Sequence, residues 1–91
     1  MAWIVKYTET AQRQLKKLDK SIALRVLDFM DERVATLDDP RSHGKNLVGP
    51  KIGSYWRYRV GDVRVICEIQ DQQLLILVIE MGHRKEVYRS K

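Results

Sequence analysis

Residues 55–67 constrain the fold of this chain more than any other feature. Apolar and basic residues alternate there on both sides of one predicted turn. The stretch reads Y-W-R-Y-R-V-G-D-V-R-V-I-C, and glycine suits the first position of a two-residue hairpin turn. If Gly61-Asp62 forms that turn, the predicted pairs are Val60 with Val63, Arg59 with Arg64, Tyr58 with Val65, Arg57 with Ile66 and Trp56 with Cys67. Because directly paired residues project to the same side, this register decides which side chains share a face.

One face of the predicted hairpin is apolar and the other is cationic. The apolar face, which we expect to be core, carries Trp56, Tyr58, Val60, Val63, Val65 and Cys67. The other face carries Arg57, Arg59 and Arg64, although like charges paired directly are destabilising. Guanidinium groups bind phosphates bidentately, so this cluster indicates a phosphate-binding site. The alternative is that the arginines solvate an outer sheet face, paired with Glu68 or Glu80.

The N-terminal half predicts a strand followed by a helical hairpin. Residues 3–7 form a short β-type run, and Thr8 can cap a helix whose apolar residues are Ala11, Leu15 and Leu18. Asp19 or Ser21 can cap a second helix, which we expect to end at Asp39-Pro40 because the residue before proline disfavours helix. The apolar stripe of this second helix comprises Ile22, Val26, Met30, Val34 and Leu37.

The C-terminal half predicts a small sheet. Residues 38–54 are rich in Gly, Pro, Asp and Asn and indicate a loop or a set of turns. Strands at 55–60, 63–70 and 74–81 follow, the last continuously apolar as in a central strand covered on both sides, and a polar tail ends the chain. The order is β-α-α-β-β-β, an N-terminal strand and helical hairpin followed by an antiparallel sheet. It predicts one α+β domain over residues 1–91.

Charge and cysteine content narrow the class of protein. The chain carries 17 Lys and Arg against 12 Asp and Glu, a net charge of +5, which favours a polyanionic partner. Cys67, the single cysteine, excludes an internal disulfide and is expected to be a buried small hydrophobe. No apolar stretch is long enough for a membrane span and no signal peptide is evident, so the expected compartment is the cytoplasm.

A second candidate region directly follows the last strand and reads G-H-R-K-E-V-Y-R over residues 82–89. Histidine is the side chain suited to proton transfer near neutral pH, and a tyrosine ring can stack on a base. The alternatives are that His83 is an exposed tail residue and that Tyr88 packs the C-terminus onto the sheet. His43 and His83 show no metal-ligand spacing, and no phosphate-binding glycine loop or nucleophile elbow is present.

The hairpin motif W-R-Y-R-V-G-D-V-R-V-I together with G-H-R-K-E-V-Y-R resembles the RelE family of bacterial toxins from toxin–antitoxin systems, within the RelE/ParE superfamily. The resemblance covers nearly the whole chain. It implies a RelE-like fold and a metal-independent endoribonuclease that needs no cofactor. Such an enzyme cleaves messenger RNA in the ribosomal A site, using the 2′-hydroxyl of the message to attack the adjacent phosphate.

The resemblance also implies roles for individual residues. Arg57 and Arg59 match the family's basic pair on the first hairpin strand, and Arg64 matches a phosphate-stabilising arginine on the second. Arg84 and Tyr88 match a C-terminal basic residue and a nucleotide-orienting tyrosine. The implied partners are a RelB-like antitoxin and the ribosome with its messenger RNA. The ribosomal RNA contacts are expected from Lys16, Lys17, Lys20, Lys45 and Lys51.

One departure from the family concerns the first hairpin strand, where some RelE proteins have lysines. An arginine effectively cannot lose its proton, so Arg57 stabilises charge but is a poor general base. The hypothesis from sequence is that His83 transfers the proton. Two alternatives remain: a ParE-like inhibitor of DNA gyrase on the same fold, and a non-catalytic module that binds RNA or an antitoxin.

Overall fold

The structure is a computed structural model that describes residues 2–47 and 54–83. Within these residues, two α-helices and five strands are joined by turns and short helical segments. In chain order the elements are β1 (Ile4–Tyr7), α1 (Glu9–Lys17), α2 (Lys20–Asp28), a π-helical segment (Phe29–Val34), a 3-10 turn (Pro40–Ser42), β2 (Lys45–Asn46), β3 (Tyr55–Val60), β4 (Val63–Gln70), a 3-10 turn (Asp71–Gln73) and β5 (Leu75–His83).

The strands form one mixed sheet in the order β1-β5-β4-β3-β2. Strands β2 to β5 pair antiparallel in succession, whereas β1 pairs parallel with β5. The predicted antiparallel sheet is therefore confirmed for its sequential strands, and the N-terminal strand adds a parallel edge to it. Strand β5 lies between β1 and β4, as predicted for a central strand. Its two faces differ within the described residues, since Ile76, Val78 and Met81 are buried on the helical side while Leu75 and Leu77 on the other side are half-buried.

The predicted hairpin is confirmed pair by pair. Val60 lies opposite Val63, Arg59 opposite Arg64, and the register continues to Trp56 opposite Cys67. Gly61 has a φ of 59°, which is the conformation that a two-residue turn with glycine at its first position requires. The glycine at the turn and the alternation of side chains specify the same register, and together they determine how β3 pairs with β4.

The start of α1 also follows its sequence. The Thr8 hydroxyl oxygen accepts a hydrogen bond from the Ala11 amide at 3.0 Å, as an N-cap should. The same hydroxyl donates to the carbonyl oxygen of Ile79 at 2.7 Å, and Gln14 Oε1 accepts from the Met81 amide at 2.6 Å. These two hydrogen bonds hold α1 against β5.

The second helix is shorter than predicted. Its α-helical part ends at Asp28, and the chain continues as the π-helical segment, in which the Ala35 amide donates to the Met30 carbonyl at 3.0 Å. The prediction of one helix up to Asp39-Pro40 was therefore wrong at its C-terminal end. The apolar stripe is nevertheless buried at Val26, Met30 and Val34, because residues four apart stay on the same side of both kinds of helix.

The region predicted as loop, residues 38–54, contains a 3-10 turn and the two-residue edge strand β2. Lys45 pairs with Arg57 and Asn46 with Trp56. A two-residue strand is too short to produce a periodic hydrophobic pattern, which is why sequence reasoning missed it.

The core lies between the helices and one face of the sheet. Tyr58, Val60, Val63, Val65 and Cys67 from the predicted apolar face are buried in it, and Trp56 packs against it half-buried. Cys67 is fully buried, as predicted for a small hydrophobe. Within residues 2–47 and 54–83, neither helix is long and apolar enough to cross a bilayer.

Candidate nucleic-acid interface

Four cations share the face of the sheet that is opposite to the core. Arg59 and Arg64 are paired directly, and Arg57 lies two residues before Arg59 on the same face. Strand β2 adds Lys45, which pairs with Arg57. We call Lys45, Arg57, Arg59 and Arg64 the basic face. Three of these residues come from the predicted hairpin, and the fourth joins them through a strand that the sequence did not reveal.

The four cations differ in their access to solvent. Lys45 and Arg59 are exposed, Arg57 is half-buried, and Arg64 is only 4% exposed. A charge that is buried must be compensated by its surroundings. The register also places Glu68 and Glu80 on this side of the sheet, opposite Tyr55 and Ile66 respectively. The exposed cations are therefore the ones that an incoming phosphate meets first.

A cleft of about 360 Å³ opens at the edge of the basic face. It lies where the short strand β2 leaves part of β3 uncovered. Its walls combine three cations, two aromatic residues, a glycine and a histidine, and they are formed by Phe29, His43, Gly44, Lys45, Arg57, Tyr58 and Arg59. The sequence assigns His43 no role, because its spacing from His83 is not that of metal ligands. Its glycine and lysine neighbours are the only local signal that could have drawn attention to it.

The wall that contains His43 is a turn held in place by hydrogen bonds. The Tyr58 hydroxyl donates to the Pro40 carbonyl at 2.6 Å, and the Trp56 indole N–H donates to the His43 carbonyl. Within the turn, Asp39 Oδ1 accepts from the Arg41 amide at 2.9 Å. Two core-facing aromatic residues of β3 thus hold the turn against the strand that carries Arg57 and Arg59.

Gly44 allows this close approach. Its φ is 79°, and a Cβ there would lie 2.3 Å from the Arg57 carbonyl oxygen and 2.7 Å from Trp56 Nε1. We expect Gly44→Ala to lower the free energy of unfolding by about 1–3 kcal/mol, because both the backbone conformation and the contact oppose a side chain. Urea denaturation measures the change.

Gly61→Ala is the matched control for this prediction. Gly61 also has a positive φ, 59°, but a Cβ there would meet only the Arg25 guanidinium, at 3.8 Å or more. Gly61→Ala should therefore lose the stability that a side chain at positive φ costs, but not the further loss caused by a steric clash. Equal losses of stability in the two variants would mean that the contact with β3 contributes nothing.

His83 lies on the other side of the sheet. It pairs with Val63 on the core-facing side, whereas Gly82 pairs with Arg64. His83 lines two clefts on the helical side, one with Gln14 and Lys17, the other with Ile22 and Arg25. The structure thus places His83 on the opposite side of the sheet from Arg57, Arg59 and Arg64, and its role in proton transfer stays a prediction.

The remaining predicted site residues are separated from the basic face or lie outside the described residues. Lys16 and Lys17 are exposed in the last turn of α1, and Lys20 is exposed at the start of α2, on the helical side of the sheet. Arg84, Tyr88 and Lys51 lie outside the described residues. Among the predicted ribosome-contacting lysines that lie in the described residues, Lys45 is the one placed beside the arginines.

Burial and charge pairing determine the protonation of several groups near the site. Burial raises the pKa of the Tyr58 hydroxyl and of the Cys67 thiol, so both stay neutral and neither is an activated nucleophile. The Arg41 guanidinium binds Asp71 through two hydrogen bonds of 2.8 and 2.9 Å, which lower the pKa of that carboxyl. Among the residues described, no three His, Cys, Asp or Glu side chains are grouped as a metal site.

Comparisons with known proteins agree with this arrangement of strands and helices. The family described as "ParE toxin of type II toxin-antitoxin system, parDE" matches residues 5–88. The chain is similar to toxin RelG of Mycobacterium tuberculosis, with 29% identity over 98% of this chain and 99% of the relative. A putative RelE-like toxin protein of Escherichia coli is also 29% identical, over 93% of this chain and 86% of its own length.

Solved structures show the same fold. The RelBE2 toxin–antitoxin complex of Mycobacterium tuberculosis matches with a TM-score of 0.80 and 26% identity, over 92% of this chain and 93% of that one. The archaeal RelE–RelB complex of Pyrococcus horikoshii matches with a TM-score of 0.74 and 26% identity, over 92% and 97%. The chain thus belongs to the ParE toxin family of type II toxin–antitoxin systems, within the RelE/ParE superfamily, and has the RelE-like fold.

Proposed function

We propose that this toxin is a metal-independent endoribonuclease that cleaves messenger RNA in the ribosomal A site and so inhibits translation in the cytoplasm. The observation that carries the proposal is the basic face. The hairpin register gathers Arg57, Arg59 and Arg64, and β2 adds Lys45. Lys45 and Arg59 are exposed on this face, although Arg59 is paired directly with another arginine, which is an unfavourable pairing of like charges. The RNA backbone supplies anions to such a face at regular spacing.

The proposed chemistry uses the 2′-hydroxyl of the message as the nucleophile. Its oxygen forms a bond to the adjacent phosphorus, the bond from phosphorus to the 5′-oxygen breaks, and the products are a 2′,3′-cyclic phosphate and a 5′-hydroxyl. Negative charge builds up on the phosphate oxygens in the transition state. Arg57 and Arg59 are suited to bind those oxygens bidentately, and the buried charge of Arg64 adds to the local field.

The motif at residues 82–89 supports two further assignments. Arg84 is proposed to neutralise the phosphate and Tyr88 to stack on or orient the nucleotide, as their match to the RelE pattern implies. The exposed lysines Lys16, Lys17 and Lys20, with Lys45 and Lys51, are proposed to contact ribosomal RNA. Binding that depends on such contacts should weaken steeply as salt rises.

A RelB-like antitoxin is the proposed protein partner. The similar toxins of Mycobacterium tuberculosis and Pyrococcus horikoshii were each solved as toxin–antitoxin complexes. An acidic or amphipathic segment of an antitoxin would complement the basic face and compete with RNA for it.

A gyrase inhibitor is the second candidate function, and the family description favours it, since the matching family is named for ParE toxins. Such a protein would need no proton-transfer groups. Fold and family membership do not separate the two activities, because function depends on the site and the fold hosts both.

The experiment that separates the two candidates is primer extension on a defined message in a purified translation system, with and without ribosomes. We expect discrete cuts inside the coding region that require both the toxin and ribosomes, and that persist in the presence of a chelator. Gyrase supercoiling is assayed in parallel with the same preparation. Intact message together with inhibited supercoiling would overturn the proposal in favour of the gyrase inhibitor, and inactivity in both assays would favour a non-catalytic binding module.

A further inference from the structure

We propose that His43 takes the proton from the attacking 2′-hydroxyl, an inference that rests on the endoribonuclease function proposed above. His43 lines the 360 Å³ cleft together with Lys45, Arg57 and Arg59. Of the two histidines in the described residues it is the one that lines this cleft, whereas His83 pairs with Val63 and lines clefts with α1 and α2. The assignment therefore moves proton transfer from the C-terminal end of β5 to the turn before β2.

The position of His43 is built into the fold. Its carbonyl oxygen accepts the Trp56 indole hydrogen, and the next residue, Gly44, lies against the Arg57 carbonyl, where even a Cβ would clash. The turn that carries His43 is thus held to β3 through the Pro40 carbonyl, the His43 carbonyl and Gly44, while His43 itself is exposed. A group on a fixed backbone beside the cations can meet a phosphate-bound nucleotide without reorganising the site.

The chemistry of the other groups in this cleft leaves the imidazole as the proton acceptor. Arg57 and Arg59 hold their protons at all relevant pH values. Lysine also keeps its proton near neutrality unless its surroundings lower its pKa. The Tyr58 hydroxyl is buried and donates to the Pro40 carbonyl, so it does not face the RNA. Imidazole accepts and returns protons near neutral pH.

The proposed step balances in atoms and charge. The 2′-hydroxyl proton passes to the His43 imidazole as the bond from O2′ to phosphorus forms. The bond from phosphorus to O5′ breaks, and a solvent water protonates the departing 5′-oxygen. The imidazolium then returns its proton to the hydroxide that this leaves, which restores neutral His43 for the next turnover. Arg57 and Arg59 stabilise the charge on the phosphate throughout.

The test compares wild type, His43→Gln and His83→Gln in single-turnover cleavage of ribosome-bound message. Glutamine keeps hydrogen-bonding capacity but cannot transfer the proton, and the fold uses the His43 backbone carbonyl, which the substitution retains. We expect His43→Gln to slow cleavage by about 100-fold or more, the usual contribution of general acid–base catalysis. Affinity for ribosomes carrying a 2′-O-methyl message, which cannot be cut, should stay within about twofold, because phosphate binding depends on the arginines.

The dependence of the cleavage rate on pH is a second test, because a purely structural role of His43 would leave it unchanged. The wild-type rate should rise with pH on the acid side as an imidazole loses its proton, and His43→Gln should lack this limb. The charged groups that line the clefts with His43 are Lys45 on β2, Arg57 and Arg59 on β3, and Glu32 and Arg33 on the π-helical segment. The arginines do not titrate in this range, so they do not produce the limb.

The possible outcomes separate the two proposals. If wild type cuts and His43→Gln cuts within threefold of it, the role of His43 is overturned while the endoribonuclease function stands. Loss of cleavage in His83→Gln alone would return proton transfer to His83. If His43→Gln loses affinity and rate in equal measure, His43 binds RNA and does not accept the proton. A wild-type protein that leaves the message intact overturns both proposals.

Discussion

Replacement of Tyr58 by alanine is expected to lower the free energy of unfolding by about 3–5 kcal/mol, the range for large aromatic residues truncated in a core. Tyr58 is fully buried on the core-facing side of β3. Its ring meets the edge of Phe29, with centroids 5.9 Å apart at an angle of 62°, and its hydroxyl donates to the Pro40 carbonyl at 2.6 Å. Alanine would leave a cavity and an unsatisfied carbonyl oxygen.

Tyr58→Phe separates the two contributions. Phenylalanine keeps the ring and the packing with Phe29 but removes the hydrogen bond that ties the Pro40 turn to β3, a loss of about 1–2 kcal/mol. Urea denaturation of the purified toxin measures both variants. A Tyr58→Ala protein that unfolds at the same urea concentration as Tyr58→Phe would show that the ring contributes no packing, contrary to its complete burial. Because the turn carries His43, Tyr58→Phe should also loosen one wall of the cleft.

The double variant Arg57→Gln with Arg59→Gln is expected to reduce ribosome-dependent cleavage by about 1,000-fold or more. Removal of one preorganised donor to a charged transition state typically costs about 100- to 1,000-fold, and here two cations of the same face are removed. The two residues lie on the same side of β3 beside Lys45, and Arg59 is exposed. Single-turnover primer extension measures the rate.

Arg13→Gln is the matched control for Arg59→Gln. Both arginines are exposed and both substitutions remove one positive charge, but Arg13 lies on α1, on the helical side of the sheet. We expect Arg13→Gln to cleave at the wild-type rate and Arg59→Gln to be clearly slower. Removing Arg59 should leave stability unchanged or slightly increased, since it relieves the direct pairing with Arg64. Equal rates for the two single variants would mean that net charge, rather than the basic face, drives the reaction.

The parts of the fold that could be predicted from sequence are those with local signals. The Gly61-Asp62 turn and the alternation on either side of it determine the pairing of β3 with β4. Thr8 caps α1 as its residue type predicts, and the stripe of Val26, Met30 and Val34 is buried whatever the kind of helix. Each of these features depends on interactions within a few residues or on a strong periodic pattern.

Other parts depend on contacts between distant segments and left no local pattern. Strand β2 is two residues long and exists only because Lys45 and Asn46 pair with β3. The turn before it is held by Trp56 and Tyr58, which are more than a dozen residues away in the chain. His43 therefore joins the cleft through tertiary contacts, and its residue type alone could not reveal this.

The two histidines show most clearly what the sequence by itself determined and what only the tertiary structure decided. The sequence alone placed Arg57, Arg59 and Arg64 on one face, because side chains alternate strictly from a defined turn. The side of His83 depends on β5, where Cys67 pairs with Val78 but Ile66 pairs with Glu80, so Ile79 is an extra residue in the strand.

That bulge reverses the alternation, which turns Met81 and His83 toward the helices. Thr8 and Gln14 of the first helical region satisfy the Ile79 carbonyl and the Met81 amide around it. A bulge supported by side chains from more than sixty residues away has no signature in the strand itself. The faces of the hairpin therefore follow from local sequence, whereas the positions of His43 and His83 follow from the packing of α1 on β5 and of the Pro40 turn on β3.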